Sequence, residues 1–144
     1  MEWYQITLKI LTMKVFLVSP YKIDNDFLKK KSIIKSIFFE NEIELLLAED
    51  SKTNESLSVK ATIELFNQSD YFVIDLSLER PSCYYELGYL QAQNKQIFMI
   101  SRSDETIHQL LNRDEIMFFC DLNEYERLIK KIVITIKNEK KCQN

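Results

Sequence analysis

The sequence contains a single glycine, Gly88, among its 144 residues. Phosphate-binding loops and the dinucleotide-binding fingerprint both need several glycines, because the backbone has to approach the phosphates closely. The shortage of glycine therefore excludes both of these nucleotide sites. Any ligand of this chain is bound by other means.

Metal-binding side chains are also scarce, with one histidine (His108) and three cysteines (Cys83, Cys120 and Cys142). A zinc site of thiols and imidazoles cannot be assembled from so few ligands. An odd number of cysteines without paired spacing favours reduced thiols in the cytoplasm. We expect no metal and no other cofactor.

The chain has neither a basic stripe nor a long apolar run. Its net charge is −3, with Lys and Glu mixed along most of its length, whereas a nucleic-acid surface needs clustered cations. Its apolar runs are far shorter than the roughly 20 residues that cross a bilayer, and residues 1–12 lack a signal-peptide pattern. We expect a cytoplasmic protein that binds neither a nucleic-acid polymer nor a membrane.

Short apolar runs alternate with amphipathic stretches, which is typical of βα units and a parallel sheet. The predicted strands cover residues 14–19, 43–47, 71–75, 96–100 and 116–119, and the predicted helices cover residues 26–39, 56–66, 82–94 and 123–138. This order favours an α/β, flavodoxin-like or Rossmann-like, doubly wound five-stranded parallel sheet with strand order 2-1-3-4-5. Ligands of such sheets bind at the carboxyl ends of the strands, so we expect the site in the loops at residues 19–24 and 75–85.

The loop after the third strand leads into a helix that carries Glu86. We expect Ser82 to cap this helix and Glu86 to lie near its first turn, where the helix dipole favours the ionised carboxylate. An ionised, partly enclosed carboxylate can act as a nucleophile. An acid near a helix N-terminus is also an ordinary surface feature, and spacing alone favours that interpretation.

The segment from Tyr71 to Ile100 resembles the core of the nucleoside 2-deoxyribosyltransferase superfamily. That superfamily includes the 2′-deoxynucleoside 5′-phosphate N-hydrolases, and TIR-like domains are its structural relatives. The resemblance covers about residues 14–135 and is most specific in three parts: Tyr85-Glu86-Leu87-Gly88, Ala92-Gln93-Asn94-Lys95 and the apolar run at residues 96–100. It implies that Glu86 is the nucleophile that attacks C1′ of the sugar. It also implies a domain at residues 13–139, with an N-terminal extension at 1–12 and a frayed tail at 140–144.

This chain departs from the family pattern around the proposed nucleophile. Arg80, Pro81 and Ser82 replace the Asp or glycine-rich turn of the transferases, and Lys60 stands where an acid is expected. These departures leave the substrate open among a (deoxy)nucleoside, a nucleotide and an NAD-like ligand. They also leave open a non-catalytic, TIR-like module that binds nucleotides in signalling or defence.

Several further residues are candidates for binding the substrate: Ser19, Tyr21, Asp75, Arg80, Ser82, Tyr85 and Tyr89. We expect Arg80 and Ser82 to meet a 5′-phosphate, and Asp75 to bind loop amides or a ligand hydroxyl. An acid at the end of the third strand is also typical of phosphoacceptor receiver domains, but the acidic pair and the lysine that such domains need are missing from the expected loops. The tyrosine-rich helix is apolar around most of its circumference, which favours a homo-oligomer, most simply a dimer.

Overall fold

The computed structural model describes residues 12–48, 59–108 and 112–143. Within these ranges the strands are β1 (Met13–Val18), β2 (Ile43–Leu47), β3 (Tyr71–Asp75), β4 (Ile97–Arg102) and β5 (Met117–Phe119). The helices are α1 (Phe27–Glu40), α2 (Val59–Gln68), α3 (Pro81–Ala92) and α4 (Leu122–Cys142). The predicted N-terminal extension lies outside the described residues, apart from Thr12.

The five strands form one parallel sheet with the order β2-β1-β3-β4-β5. This confirms the predicted flavodoxin-like architecture and its strand order. Every residue of β3 is buried, as expected for a central strand that is covered on both faces. The chain passes from β1 to β2 on one side of β1 and then crosses to β3 on its other side, and the crevice in which such sheets bind ligands lies at this change of direction.

Alternate residues of β1 contribute to two separate hydrophobic cores, because successive side chains of a strand point to opposite faces. Val15 and Leu17 pack against α1 and α4 in one core, and Phe16 and Val18 pack against α2 and α3 in the other. The sheet is therefore the middle layer of three. None of the described helices has both the length and the apolar character needed to cross a membrane.

The predicted strands match the structure more closely than the predicted helices do. The limits of β2 and β3 are those predicted, whereas α3 starts one residue early at Pro81 and α4 continues past residue 138 to Cys142. Helix ends depend on local hydrogen bonds and are less marked in the sequence than apolar runs.

Left-handed backbone conformations occur at residues other than glycine. Among the described residues, positive φ angles are found at Glu42, Leu78, Glu79, Asn94 and Asn112. Gly88 lies instead inside α3 with ordinary helical geometry. The single glycine is thus not used for a tight turn.

Candidate active site

A cavity of about 280 Å³ lies beside the carboxyl ends of β1 and β2. Its walls come from the loop between β1 and α1, from α2, and from the first half of α3. It is lined by all but one of the site residues predicted from the sequence: Ser19, Tyr21, Arg80, Ser82, Tyr85, Glu86 and Tyr89. The fold therefore brings these residues together near the switch point of the sheet.

Most of the cavity surface is apolar. Several of its lining side chains are buried apolar groups: Phe16, Val18, Phe27, Leu47 and Phe66. Phe66 also packs edge-on against Phe16, with ring centroids 4.9 Å apart. The face of a flat aromatic group would find matching apolar surface here.

Glu86 is partly buried on the cavity wall. Burial raises the pKa of its carboxyl group from 4.5 to about 7. Glu86 lies just beyond the first turn of α3, as predicted, because the helix begins at Pro81, but the expected stabilisation of its charged form by the helix N-terminus was wrong. The dipole effect is confined to the first turn, so loss of solvent dominates.

A carboxyl group with a pKa of about 7 exchanges its proton readily near neutral pH. Its ionised form can attack an electrophilic carbon, and its protonated form can donate a proton to a leaving group. Strongly perturbed carboxyl groups in a cleft are typical of catalytic sites. The position of Glu86 is therefore chemically suited to catalysis.

Helix α3 begins directly after Arg80, and no serine side chain caps it. Arg80 occupies the N-cap position, no side chain caps the helix, and Pro81 takes its first turn, where proline is favoured. The prediction that Ser82 caps the helix was wrong, since Ser82 lies within it. Its hydroxyl oxygen instead accepts a hydrogen bond from Nε of Arg80 at 3.1 Å, which orients the guanidinium at the cavity rim.

The loop after β1 supplies the opposite rim. The ring of Tyr21 packs against Phe27 with centroids 5.8 Å apart, and Nζ of Lys22 lies 5.8 Å from the centre of the Tyr21 ring. Lys22 is exposed and lines the cavity. Lys22 and Arg80 therefore give the rim positive charge, although the chain as a whole is negative.

Asp75 is the one predicted site residue that does not line the cavity. It is 1% exposed, and its Oδ2 accepts a hydrogen bond from Nζ of Lys30 at 2.7 Å. Its Oδ1 accepts from the backbone amide of Ser77 at 2.9 Å, which confirms the predicted contact with a loop amide. Asp75 thus lies behind the cavity wall and not at its surface.

A second polar cluster holds the loop between β3 and α3. The Tyr84 hydroxyl donates to Oε1 of Glu79 at 2.6 Å, and Nδ1 of His108 contacts the other carboxylate oxygen. Burial alone would raise the pKa of Glu79, but its hydrogen bonds with His108 and Tyr84 hold it below the ordinary value. This cluster was not predicted from the sequence, because Glu79 and His108 are 29 residues apart in the chain.

The thiol of Cys83 lines the cavity but is buried in the core beside α3. Burial raises its pKa to about 12, and only the thiolate is nucleophilic. Cys83 therefore contributes packing. Among the described residues, no group of three or more His, Cys, Asp or Glu side chains is arranged to bind a metal ion.

No protein-family model matches the sequence, and no curated protein matches it. Solved structures share its fold. A 2-deoxyribosyltransferase from Bacillus psychrosaccharolyticus is 21% identical, with a TM-score of 0.52 over 78% of this chain and 90% of that protein's chain. A 2-deoxyribosyltransferase from Leishmania mexicana is 17% identical, with a TM-score of 0.51 over 63% of this chain and 65% of that chain.

A response regulator receiver domain protein from Bacillus halodurans has the same overall architecture. It is 13% identical, with a TM-score of 0.51 over 83% of this chain and 96% of that chain. Two enzymes and a receiver domain protein thus share this fold, and their TM-scores against this chain are nearly equal. These likenesses define the class of the molecule as a flavodoxin-like α/β domain, and its chemistry has to be argued from the site.

Proposed function

We propose that this protein is an enzyme that hydrolyses or transfers at the N-glycosidic bond of a nucleoside or nucleotide. The observation that carries the proposal is Glu86, a partly buried carboxyl group with a pKa of about 7 on the wall of a mostly apolar cavity. The fold shared with two 2-deoxyribosyltransferases supports it. So does the resemblance of the Tyr85–Gly88 segment to their superfamily.

In the proposed reaction, the Glu86 carboxylate attacks C1′ of the sugar. The bond between C1′ and the base nitrogen breaks, its electron pair leaves with the base, and the base takes up a proton from solvent. An ester then joins Glu86 to C1′. Water attacks C1′ and restores the carboxylate in hydrolysis, or the nitrogen of a second base does so in transfer.

The size and charge of the cavity favour a single nucleoside or nucleotide as the ligand. Its volume of about 280 Å³ is just below the range for small-molecule sites, which begins at about 300 Å³, so an NAD-like dinucleotide would enter only in part. Lys22 and Arg80 at the rim suit a 5′-phosphate. The sugar and base would be contacted by four further residues that line the cavity: Ser19, Tyr21, Tyr85 and Tyr89.

A second candidate function is a non-catalytic, TIR-like module that binds a nucleotide. It is favoured by one observation: Glu86 is the sole carboxylate among the described residues that line the cavity. Glycosidic cleavage usually relies on a pair of carboxyl groups, one of which protonates the leaving group. In this alternative, the site binds the ligand but lacks the second acid that cleavage would need.

The test is release of free base from a panel of deoxynucleosides, their 5′-monophosphates and NAD. We expect the wild type to release base from at least one mononucleoside or mononucleotide. Glu86→Gln removes the charge but keeps the shape, so it should lower the rate by at least about a thousandfold while ligand binding persists.

Glu64→Gln is the matched control, because Glu64 is exposed on α2 and does not line the cavity. Its rate should equal that of the wild type. Full activity in Glu86→Gln would refute the nucleophile. A wild type that binds a nucleotide but releases no base would favour the binding module.

A further inference from the structure

Three charged side chains form a buried cluster at the carboxyl end of the sheet, behind the cavity. Lys30 on α1 forms ion pairs with Asp24, from the loop between β1 and α1, and with Asp75, at the end of β3. We call these residues the Lys30 cluster; each is at most 9% exposed. Nζ of Lys30 also lies 5.4 Å from the centre of the Phe119 ring, so the ammonium is shielded from water.

Asp24 connects the cluster to the loop that forms one rim of the cavity. Its Oδ1 accepts the amide of Asp26 at 2.9 Å, and its own amide donates to the carbonyl oxygen of Pro20 at 3.0 Å. These bonds close the turn that carries Tyr21 and Lys22 into the cavity. The position of this rim therefore depends on where Asp24 is held.

Asp75 connects the cluster to the loop that forms the opposite rim. Its Oδ1 accepts the amide of Ser77 at 2.9 Å, and the Ser77 hydroxyl accepts the amide of Arg102 at 3.0 Å. The chain then passes through the left-handed residues Leu78 and Glu79 to Arg80 at the start of α3. The second rim is thus fixed through Asp75, the other carboxylate that pairs with Lys30.

A buried ion cluster of this kind does not make a fold more stable than well-packed apolar residues would. It does impose geometry, because each carboxylate has to stay within contact of one ammonium. We infer that Lys30 is a positioning residue that fixes the two rims of the cavity relative to each other. The kinetic test of this inference rests on the proposed function.

The inference separates substrate binding from the chemical step. Tyr21, Lys22 and Arg80 lie on the loops that the cluster holds, whereas Glu86 lies on α3, which is anchored in the core by Cys83, Leu87 and Leu90. Loosening the cluster should therefore weaken binding and leave the nucleophile in place.

Amide hydrogen exchange tests the positioning role without a ligand. Asp24→Asn should speed the exchange of the backbone amides of residues 23 and 24 by at least about tenfold. Asp75→Asn should do the same for the amide of Ser77. The triple variant Asp24→Asn, Lys30→Met, Asp75→Asn, which removes all three charges, should speed exchange in both loops. Amides within α4 should stay unchanged and report intact global folding.

Steady-state kinetics of base release provide the second measurement, with the best substrate from the panel. In the triple variant KM should rise at least about tenfold while kcat stays within about twofold, and the exposed-site control Lys29→Met should change neither. Unchanged exchange in either loop, or a loss of kcat with KM unchanged, would overturn the inference. If the wild type releases no base, the proposed function fails, and the exchange result still decides whether Lys30 positions the loops.

Discussion

Glu86 is held in a position that is unfavourable for its own charge. Burial is the cause of its raised pKa, and no cation contributes to the shift. Groups that serve a reaction are often kept in surroundings that reduce the stability of the fold. A neutral side chain of the same shape at this position should therefore make the folded protein more stable.

We predict that Glu86→Gln stabilises the protein at about pH 8. The folded-state pKa of about 7 lies above the ordinary value of 4.5, so the folded protein binds this proton more tightly than the unfolded chain. The wild type then loses stability as the pH rises from about 4.5 to 7, and the glutamine variant does not. We expect a gain of about 1–3 kcal/mol in the free energy of unfolding at about pH 8, which disappears near pH 4.

Urea unfolding of both proteins at several pH values measures this difference. Glu64→Gln is again the control and should follow the wild type at every pH, since Glu64 is exposed. A glutamine variant that is less stable than the wild type at about pH 8 would mean that the charge of Glu86 has a stabilising partner.

At the scale of single elements, α1 depends on its buried lysine. Burial by itself would lower the pKa of Lys30, but the charges of Asp75 and Asp24 outweigh this and raise it. We predict that Lys30→Met reduces the free energy of unfolding by about 3–5 kcal/mol, because two buried carboxylates lose their cation. Thermal or urea unfolding checks the value.

Two comparisons separate the charge effect from the loss of side-chain packing. Lys29→Met changes an exposed neighbour on the same helix and should stay within about 0.5 kcal/mol of the wild type. Adding Asp24→Asn and Asp75→Asn to Lys30→Met should restore much of the lost stability. If it does not, Lys30 matters for its shape and not for its charge.

Helix α3 contains the only glycine of the sequence, and this chain's own packing does not require it. A Cβ atom built on Gly88 meets no other atom within 4 Å, and Gly88 is exposed and does not line the cavity. We predict that Gly88→Ala raises the free energy of unfolding by about 0.5–1 kcal/mol, because alanine restricts the unfolded chain and favours the helix. Chemical denaturation of a dilute sample measures it, and a loss of stability there would contradict the expectation.

At the scale of the whole molecule, α3 presents a second, outward face. Pro81, Tyr85, Gly88 and Ala92 are exposed, and their spacing of four, three and four residues places them on one side of the helix. Tyr85 is 72% exposed and also lines the cavity. The face carries no charge, so we predict that two copies of the chain associate through it.

Sedimentation at micromolar concentration should give twice the 17.2 kDa of one chain. Ala92→Glu adds a charge to this face without touching the cavity and should shift the protein towards the monomer. Asn67→Glu adds the same charge at an exposed position of α2; it is the matched control and should associate like the wild type. Sedimentation of the wild type only at 17.2 kDa would refute the dimer.

The sequence predicted the sheet well because β2 and β3 are short, mostly apolar runs. It predicted the place of the cavity because strand order determines where loops converge. It missed the pKa of Glu86, since the groups that enclose the cavity around it come from β1, α1 and α2. It also missed the buried Lys30, although its spacing from Phe27, Ile34 and Ile37 puts it on the apolar face of α1.

The distribution of left-handed residues has a consequence for how this protein can change in evolution. Glycine adopts positive φ angles at no steric cost, yet the described positions that need them hold Glu42, Leu78, Glu79, Asn94 and Asn112, while the only glycine lies in a helix. Glycine would relax the backbone at these turns, although at Glu79 it would also remove the hydrogen bonds with Tyr84 and His108, and mutation away from glycine meets open space at Gly88. Single substitutions that swap glycine between the helix and such turns should therefore cost little stability, which leaves sequence changes open at positions far from Glu86.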